Sequence, residues 1–240
     1  YPWQRERHWI DAANPMRGGV QRPLASRKQD TPRADGVPML QQSIYVTGWA
    51  DAPPAKLTPP QHLLLLADQG GVAHALAELM AAGGAPCRIV LPDAVAGPHA
   101  GADILDLRSL DGPQLADGIY SLLQLVRAAG APTTVWAVTR GARAVELAER
   151  AKLDVAAAAI WGLGAALATE HGDVWGGCLD LDPAASAAAA AKMLFDHLCA
   201  GQRGDAALRG ARRLQPKLRR APMPGAVVAP SVFRADASYL

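Results

Sequence analysis

The stretch Leu63–Gly83 constrains the fold of this chain more than any other part of its sequence. It begins with four consecutive leucines, which suit a short strand that is buried on both faces. A turn follows at Asp68–Gly71. Apolar residues then recur at the spacing of a helix with one apolar stripe, at Val72, Leu76, Leu79 and Met80. The stretch therefore predicts a strand, a glycine turn and a helix, the first half of a βαβ unit.

The glycine turn lacks most of the fingerprint that binds a dinucleotide. In dinucleotide-binding folds this turn reads G-x-G-x-x-G, because the glycines let the backbone approach the pyrophosphate at the helix N-terminus. Here the turn has only two adjacent glycines, Gly70 and Gly71. The sequence therefore predicts the scaffold of a nucleotide-binding fold without its phosphate cradle.

The remaining chain alternates strand and helix patterns to about residue 200, which predicts an α/β fold with a mostly parallel sheet and helices on both faces. Further strands are predicted at Gln41–Asp51, Cys87–Leu91, Asp103–Leu107, Thr133–Thr139, Trp175–Leu181, Ala206–Leu214 and Val227–Phe233. Further helices are predicted after the turn Asp111–Pro113 and at Gly141–Lys152, Ala156–Glu170 and Ala184–Ala200, the last starting at Pro183.

The sequence also predicts the surroundings of several side chains on or next to these helices. Arg143 and Glu149 are predicted to face solvent, and His197 is predicted to be partly exposed. The sequence G-L-G at 162–164 begins like a dinucleotide fingerprint but is interpreted as a site of close helix packing, because glycine allows neighbouring elements to approach. Asp180 and Asp182 at a strand end could form a metal or acid–base pair, but strand-end polarity and an N-cap are the favoured interpretation.

Composition excludes several classes of function. The 240 residues carry a net charge of only +2, which argues against a general polyanion binder. The basic segment Arg203–Arg220 has no interleaved aromatic residues for base stacking, so nucleic acid is not expected as a partner. No apolar run is long enough to span a bilayer. Three widely spaced cysteines, Cys87, Cys178 and Cys199, fit a reducing cytosol and a cytoplasmic protein.

No catalytic, cofactor-binding or metal-binding residue is predicted in this chain. A short-chain reductase needs a tyrosine followed four residues later by a lysine, and none of the four tyrosines has that lysine. The histidines show no metal-ligand spacing. One alternative stays open, an autonomous domain that binds a nucleotide or acyl ligand, with phosphate held by backbone N–H groups at Asp68–Gly71.

The N-terminal residues divide into two segments before the predicted sheet. Tyr1–Ile10 alternates aromatic and charged residues, so it is interpreted as a strap that docks on a neighbouring domain through Tyr1, Trp3, Arg5, Arg7 and Trp9. Residues 11–40 are rich in Pro, Gly, Arg, Asp and Gln without periodicity, which predicts a linker.

Several stretches in order resemble a modular type I polyketide synthase. The strap Tyr1–Ile10 resembles the end of the linker that follows an acyltransferase domain. Residues 41–240 resemble the structural subdomain of a ketoreductase and end at its junction with the catalytic subdomain. The stretches that carry this resemblance are LLLLADQGG, DILDLRSLD, VWAVTRGARAV, IWGLGAALATEHGDVWGGCLDLDP, DAALRGARRLQPKL and FRADASYL.

The resemblance implies a truncated Rossmann-like fold that binds no nucleotide and stabilises a catalytic partner. NADPH and the catalytic residues would lie in that partner, the ketoreductase catalytic subdomain, so this segment alone would not be an enzyme. The parent would be a multifunctional polyketide synthase with acyltransferase and ketoreductase activities. Its acyltransferase and ketosynthase domains would contact the strap, and its acyl carrier domain would bear phosphopantetheine.

Overall fold

The computed structural model describes residues 44–53, 58–91, 101–112 and 115–221. The predicted strap Tyr1–Ile10, the predicted linker at 11–40 and the predicted strand Val227–Phe233 lie outside these residues. No helix in the described ranges is long and apolar enough to cross a membrane.

The described residues form one sheet and four α-helices, together with two short 3-10 turns at Arg108–Asp111 and Leu147–Lys152. The strands are β1 (Tyr45–Asp51), β2 (Leu63–Leu66), β3 (Arg88–Val90), β4 (Asp103–Asp106), β5 (Thr134–Arg140), β6 (Trp175–Leu181), β7 (Ala206–Arg209) and β8 (Arg212–Arg220). The helices are α1 (Val72–Ala82), α2 (Leu115–Ala128), α3 (Val155–Glu170) and α4 (Ala187–Cys199).

The strand order in the sheet is β1-β8-β7-β6-β5-β4-β2-β3. The strands from β7 to β3 in this order pair in parallel, whereas β8 and β1 pair antiparallel at one end. The chain moves outward from β2 to β3 and then returns to β4 on the other side of β2. The boundary between β2 and β4 is therefore the point at which a doubly wound sheet usually binds its ligand.

The leucine run is apolar throughout because both faces of β2 are covered. Leu63 and Leu65 pack into the core with α1 and α4, whereas Leu64 and Leu66 pack into the core with α2 and α3. All four leucines are at most 4% exposed. The mostly parallel sheet with helices on both faces is confirmed, and β1 lies at one end of the described strand order.

The predicted helix at Gly141–Lys152 is wrong. Only the 3-10 turn at Leu147–Lys152 forms there. The N–H groups of Ala142 and Arg143 donate to the Asp180 carboxylate, and the Val145 N–H donates to the Glu149 carboxylate. An α-helix that starts at Gly141 would bond the Val145 N–H to the Gly141 carbonyl, but Val145 donates to Glu149 and the Gly141 carbonyl accepts from the Asp154 N–H at 2.9 Å.

The segment Ala206–Leu214 is a hairpin and not the single strand that its alternation predicts. Strands β7 and β8 pair antiparallel, with Leu208 opposite Arg213. Gly210, with φ of 57°, lies in the turn between them. The glycine therefore ends one strand, and the polar–apolar alternation resumes in the next one.

Helix α4 begins later than the sequence predicts. Its N-cap is Ser186, whose side chain accepts from the N–H of Ala189, so Pro183 is not its first residue. The Asp182 carboxylate accepts instead from the N–H of Ala184 in the turn before the helix. His197 is 2% exposed, which corrects the expectation of partial exposure, because its ring packs edge-on at the Trp136 side chain.

Candidate functional site

The turn between β2 and α1 is the position at which this type of fold would hold a phosphate. Gly71 has φ of 85°, a left-handed conformation that favours glycine, and it leads directly into Val72 at the start of α1. The Asp68 side chain, only 5% exposed, folds back over the helix start. Its carboxylate accepts from the N–H groups of Val72 at 3.0 Å and Ala73 at 2.8 Å.

A second carboxylate covers the same turn from another strand connection. Asp111, at the end of the 3-10 turn after β4, accepts from the N–H of Gln69 at 2.7 Å. Three backbone donors, the N–H of Gln69 in the turn and those of Val72 and Ala73 at the start of α1, are thus bonded to two carboxylates of the chain itself. A phosphate placed here would have to displace hydrogen bonds and would meet two negative charges, so the turn does not fit the pyrophosphate of NADPH.

A cavity of about 350 Å³ lies beside this turn, among the ends of β4 and β5, helix α2 and the start of α3. The described side chains around it include one cation, Arg108, and four carboxylates. These are Asp106, Asp111, Asp117 and Asp154. Arg108 is held by Asp106, with Nη2 of the guanidinium 2.7 Å from Oδ2 of the carboxylate.

The start of helix α3 at this cavity is also capped from within the chain. The Asp154 carboxylate accepts from the N–H groups of Ala156 at 2.9 Å and Ala157 at 3.1 Å. The cavity is therefore predominantly acidic, and the starts of α1 and α3 beside it present capped backbone donors. Such an environment disfavours a polyphosphate ligand, which argues against the autonomous nucleotide-binding alternative.

Asp180 lies in a buried charge network and does not pair with Asp182. Its carboxylate is completely buried and accepts from Thr139 Oγ1 at 2.8 Å and from Arg209 Nη2 at 2.8 Å. Arg209 also pairs with Glu149, at 2.9 Å between Nε and Oε1. Among the residues that the structure describes, no group of His, Cys, Asp or Glu side chains could hold a metal ion.

This network corrects the expectation that Glu149 faces solvent. Glu149 does not project freely into solvent but is bound to the buried Arg209. Burial alone would raise the pKa of Glu149, but its hydrogen bonds with Arg209 and Val145 outweigh burial and lower the pKa. The Arg143 guanidinium lies over the ring of Trp161, 5.1 Å from the ring centroid.

Several arginines of the basic segment Arg203–Arg220 bond to other parts of the fold. Arg203 donates to the Asp173 carbonyl and to Thr134 Oγ1. Arg212 pairs with Asp51 at 3.0 Å. Together with the buried Arg209, these contacts indicate that much of the cluster fastens the hairpin to the sheet.

The close-packing role predicted for G-L-G at 162–164 is confirmed for Gly164 but is wrong for Gly162, which is exposed and has no atom within 4 Å of where a Cβ would lie. A Cβ at Gly164 would lie 2.6 Å from the Cys178 sulfur, so α3 can approach β6 only with glycine at this position. The predicted docking residues Tyr1, Trp3, Arg5, Arg7 and Trp9 lie outside the described residues.

Comparison with known proteins identifies the family. Residues 46–218 match the family described as the Rossmann fold domain of the polyketide synthase extender module SpnB. The chain belongs to this family of polyketide synthase Rossmann fold domains. It is 28% identical, over its whole length, to a phenolphthiocerol/phthiocerol polyketide synthase of Mycobacterium tuberculosis, of which it covers 17%.

Two solved ketoreductases share the fold. The first ketoreductase of the tylosin polyketide synthase has a TM-score of 0.59 and 23% identity, covering 78% of this chain and 43% of that chain. The ketoreductase from the first module of phoslactomycin biosynthesis in a Streptomyces species has a TM-score of 0.54 and 27% identity. That likeness covers 75% of this chain and 38% of the ketoreductase. The chain is thus a Rossmann-like domain of the ketoreductase region of a polyketide synthase.

Proposed function

We propose that this chain is the structural, non-catalytic part of a ketoreductase in a polyketide synthase module. It stabilises the catalytic subdomain that reduces a β-ketoacyl chain with NADPH during chain elongation. The observation that carries the proposal is the closed turn after β2, in which Asp68 and Asp111 occupy the donors that a dinucleotide would need. The scaffold of the fold is kept, and its phosphate site is filled by the chain's own carboxylates.

Exposed apolar side chains at one end of β1 and β8 support a role in packing against a partner. Tyr45 and Val46 of β1 and Leu218 of β8 are 54%, 40% and 76% exposed. In the antiparallel pair Thr47 lies opposite Leu218, so Leu218 shares one face of the sheet with Tyr45, while Val46 lies on the other face. Both faces of this end therefore offer apolar surface that a partner domain can bury.

The same proposal assigns the remaining partners. The strap Tyr1–Ile10 docks on the acyltransferase and ketosynthase domains of a multifunctional synthase, through Tyr1, Trp3, Arg5, Arg7 and Trp9. An acyl carrier domain presents the substrate on phosphopantetheine, and NADPH is bound by the catalytic subdomain. The family membership, and the similarity of the whole chain to part of a mycobacterial polyketide synthase, support a polyketide synthase as the parent, which we place in the cytoplasm.

The proposal is tested by co-expressing this chain with the ketoreductase catalytic subdomain of the same synthase. Each part and the pair are assayed for NADPH oxidation on a β-ketoacyl thioester mimic. We expect activity from the pair, none from this chain alone, and a less stable or inactive catalytic subdomain when it is alone. A catalytic subdomain that is equally stable and active without this chain would contradict the structural role.

A further inference from the structure

Strand β1 has β8 on one side and no strand on its other side among the described residues. The Ile44 carbonyl accepts from the N–H of Ala221, directly after β8, so the backbone groups of Ile44 point towards β8. At the other end of the strand, the N–H of Ala52 also points towards β8, where it donates to the Arg213 carbonyl. Backbone groups of successive residues point to opposite sides of a strand, so those of the odd-numbered residues point away from β8. We call the outward N–H and C=O groups of three of these residues the outer edge of β1: Tyr45, Thr47 and Trp49.

The outer edge of β1 forms no backbone hydrogen bond within the described part of the chain. Tyr45 is 54% exposed, and Thr47 is exposed as well. Water can therefore reach these backbone groups when the chain is alone. A row of such groups on an edge strand is a template on which another strand can pair.

The sequence of β1 has none of the features that usually protect an edge strand. Proteins protect such edges with very short strands, with Pro or Lys, or with β-bulges. Strand β1, YVTGWAD, has seven residues without Pro, Lys or Arg and pairs with β8 in continuous register. At the opposite end of the described strand order, β3 has only three residues and begins with the exposed Arg88. The sheet is therefore open to extension at β1 and not at β3.

Apolar side chains lie on both faces of the sheet next to the outer edge. Tyr45 and Leu218 lie on one face and Val46 lies on the other. A partner that buries both faces has to pass around the edge, so it also removes water from the outer edge. Backbone groups that lose water must gain hydrogen bonds. A strand supplies these bonds at the required spacing, because its own backbone groups alternate with the same two-residue period.

We propose that the catalytic subdomain of the ketoreductase adds a strand to the outer edge of β1. The inference rests on the proposed function, because it takes the catalytic subdomain as the partner that buries this end of the sheet. The ketoreductases that share the fold have further chain to supply the strand, since the likeness covers only 43% and 38% of them. Main-chain hydrogen bonds then join the two parts, and the apolar side chains on either face pack beside them.

Hydrogen–deuterium exchange of the full chain and of its complex with the catalytic subdomain tests the inference, with single amides resolved by fragmentation mass spectrometry. In the chain alone, the amides of Val46 and Gly48 should be partly protected by β8 or less accessible, unlike the fast-exchanging amides of the outer edge. In the complex, exchange at the outer edge should slow by about tenfold or more. Fast exchange there in the complex would overturn the inference. Slow exchange in the chain alone would also overturn it, because another segment or a second copy would then occupy the edge.

Thr47→Pro removes one outward N–H, at the kind of position where an edge strand tolerates proline. The matched control is Thr47→Ala, which keeps the N–H and shortens the side chain. We expect Thr47→Pro to weaken association with the catalytic subdomain by about tenfold or more, because a buried carbonyl of the added strand loses its donor, and Thr47→Ala to weaken it by less than about threefold. Analytical ultracentrifugation of the co-expressed pair measures both variants, and equal effects would overturn the inference. If Thr47→Pro does not fold, the exchange experiment on the wild type decides.

Failure of this inference is distinguishable from failure of the proposed function. If the wild-type pair associates and reduces the β-ketoacyl mimic while the outer edge still exchanges fast, only the inference fails. If the wild-type pair does not associate, the proposed function fails and the inference fails with it.

Discussion

Asp68 bonds backbone donors at the start of α1 with its own side chain. Its carboxylate bonds the N–H groups of Val72 and Ala73, the donors that face a phosphate in a dinucleotide-binding fold. The same contacts cap α1, a role for which aspartate is well suited. A residue that stabilises the helix thereby occupies backbone donors that a phosphate would use.

The buried pair of Arg209 and Asp180 is the charge contact with the largest expected effect on stability. Their side chains are 8% and 0% exposed. Arg209→Met leaves the Asp180 carboxylate buried without its cation, so we expect the free energy of unfolding to fall by about 3–5 kcal/mol. Urea denaturation measures the change.

The matched control for this prediction is Arg212→Met on the same hairpin. Arg212 pairs with Asp51, but both side chains are more than half exposed, at 54% and 67%. Exposed ion pairs contribute about 0–1 kcal/mol, so the control should lose little stability. Equal losses of stability in the two variants would show that the buried pair of Arg209 and Asp180 contributes no more than an exposed ion pair.

His197 makes stability depend on pH on the acid side of neutrality. Its pKa is lowered to about 4 by burial and by the charge of Arg213, from an ordinary value of 6.5. The unfolded chain therefore binds a proton more readily than the folded chain does. The stabilisation from the neutral ring is complete above pH about 6.5 and is lost as the pH falls towards 4, with a slope that approaches about 1.4 kcal/mol per pH unit.

Comparing the wild type with His197→Phe isolates this contribution from that of the carboxylates. Urea denaturation at a series of pH values between 7 and 4 gives the difference in the free energy of unfolding. We expect the variant to gain stability relative to the wild type as the pH falls through this range. A difference that does not vary with pH would contradict the burial of a neutral imidazole.

At the residue scale, the sequence revealed the glycines of the turn but not the groups that close it. Gly70 and Gly71 are adjacent in the chain and could be recognised directly. The contact between Asp111 and the Gln69 N–H joins residues 42 positions apart and exists only because β4 lies beside β2. Pairing of this kind depends on topology, so a local pattern does not show it.

At the scale of elements, the approach of α3 to β6 depends on Gly164. A Cβ there would come within 2.6 Å of the Cys178 sulfur, so Gly164→Ala should push the two elements apart and lower the free energy of unfolding by about 1–3 kcal/mol. Gly162, two residues earlier on the same helix, is exposed and has open space around it.

Gly162→Ala therefore serves as the control, with an effect of opposite sign. Replacing an exposed helical glycine by alanine should raise stability by up to about 1 kcal/mol, because the unfolded chain loses conformational freedom. Thermal and urea denaturation of the two single variants measure both effects. Destabilisation by Gly162→Ala, or none by Gly164→Ala, would contradict this packing.

The elements that the sequence predicted correctly are those whose own pattern decides their structure. The leucine run of β2 and the apolar stripe of α1 needed no information from elsewhere. The predicted helix at Gly141–Lys152 was wrong because the groups of its first hydrogen bond, the Gly141 carbonyl and the Val145 N–H, are bonded to Asp154 and to the Glu149 side chain instead. The burial of His197 was missed because the surrounding sheet and hairpin enclose the last turn of α4.

At the scale of the whole molecule, the apolar end of β1 and β8 is proposed as part of the surface that packs on the catalytic subdomain. Leu218→Gln replaces a leucine that is 76% exposed, so the stability of this chain alone should change by less than about 0.5 kcal/mol. Its association with the catalytic subdomain should weaken about tenfold, the cost of losing one buried leucine.

Tyr120→Gln on α2 is the control for that prediction. Tyr120 is 63% exposed but lies on a different element from the proposed surface. Analytical ultracentrifugation of the co-expressed pair measures the association of each variant. If both variants, or neither, weaken association, the end of β1 and β8 is not the contact surface.

The central claim, a Rossmann-like scaffold that does not hold NADPH, is tested most directly by titrating NADPH into this chain alone and into its complex with the catalytic subdomain. Isothermal titration calorimetry reports binding without requiring turnover. We expect no saturable binding to the chain alone and one NADPH per complex. Saturable binding to the chain alone would contradict the account, because the turn closed by Asp68 and Asp111 would then have to open for the cofactor.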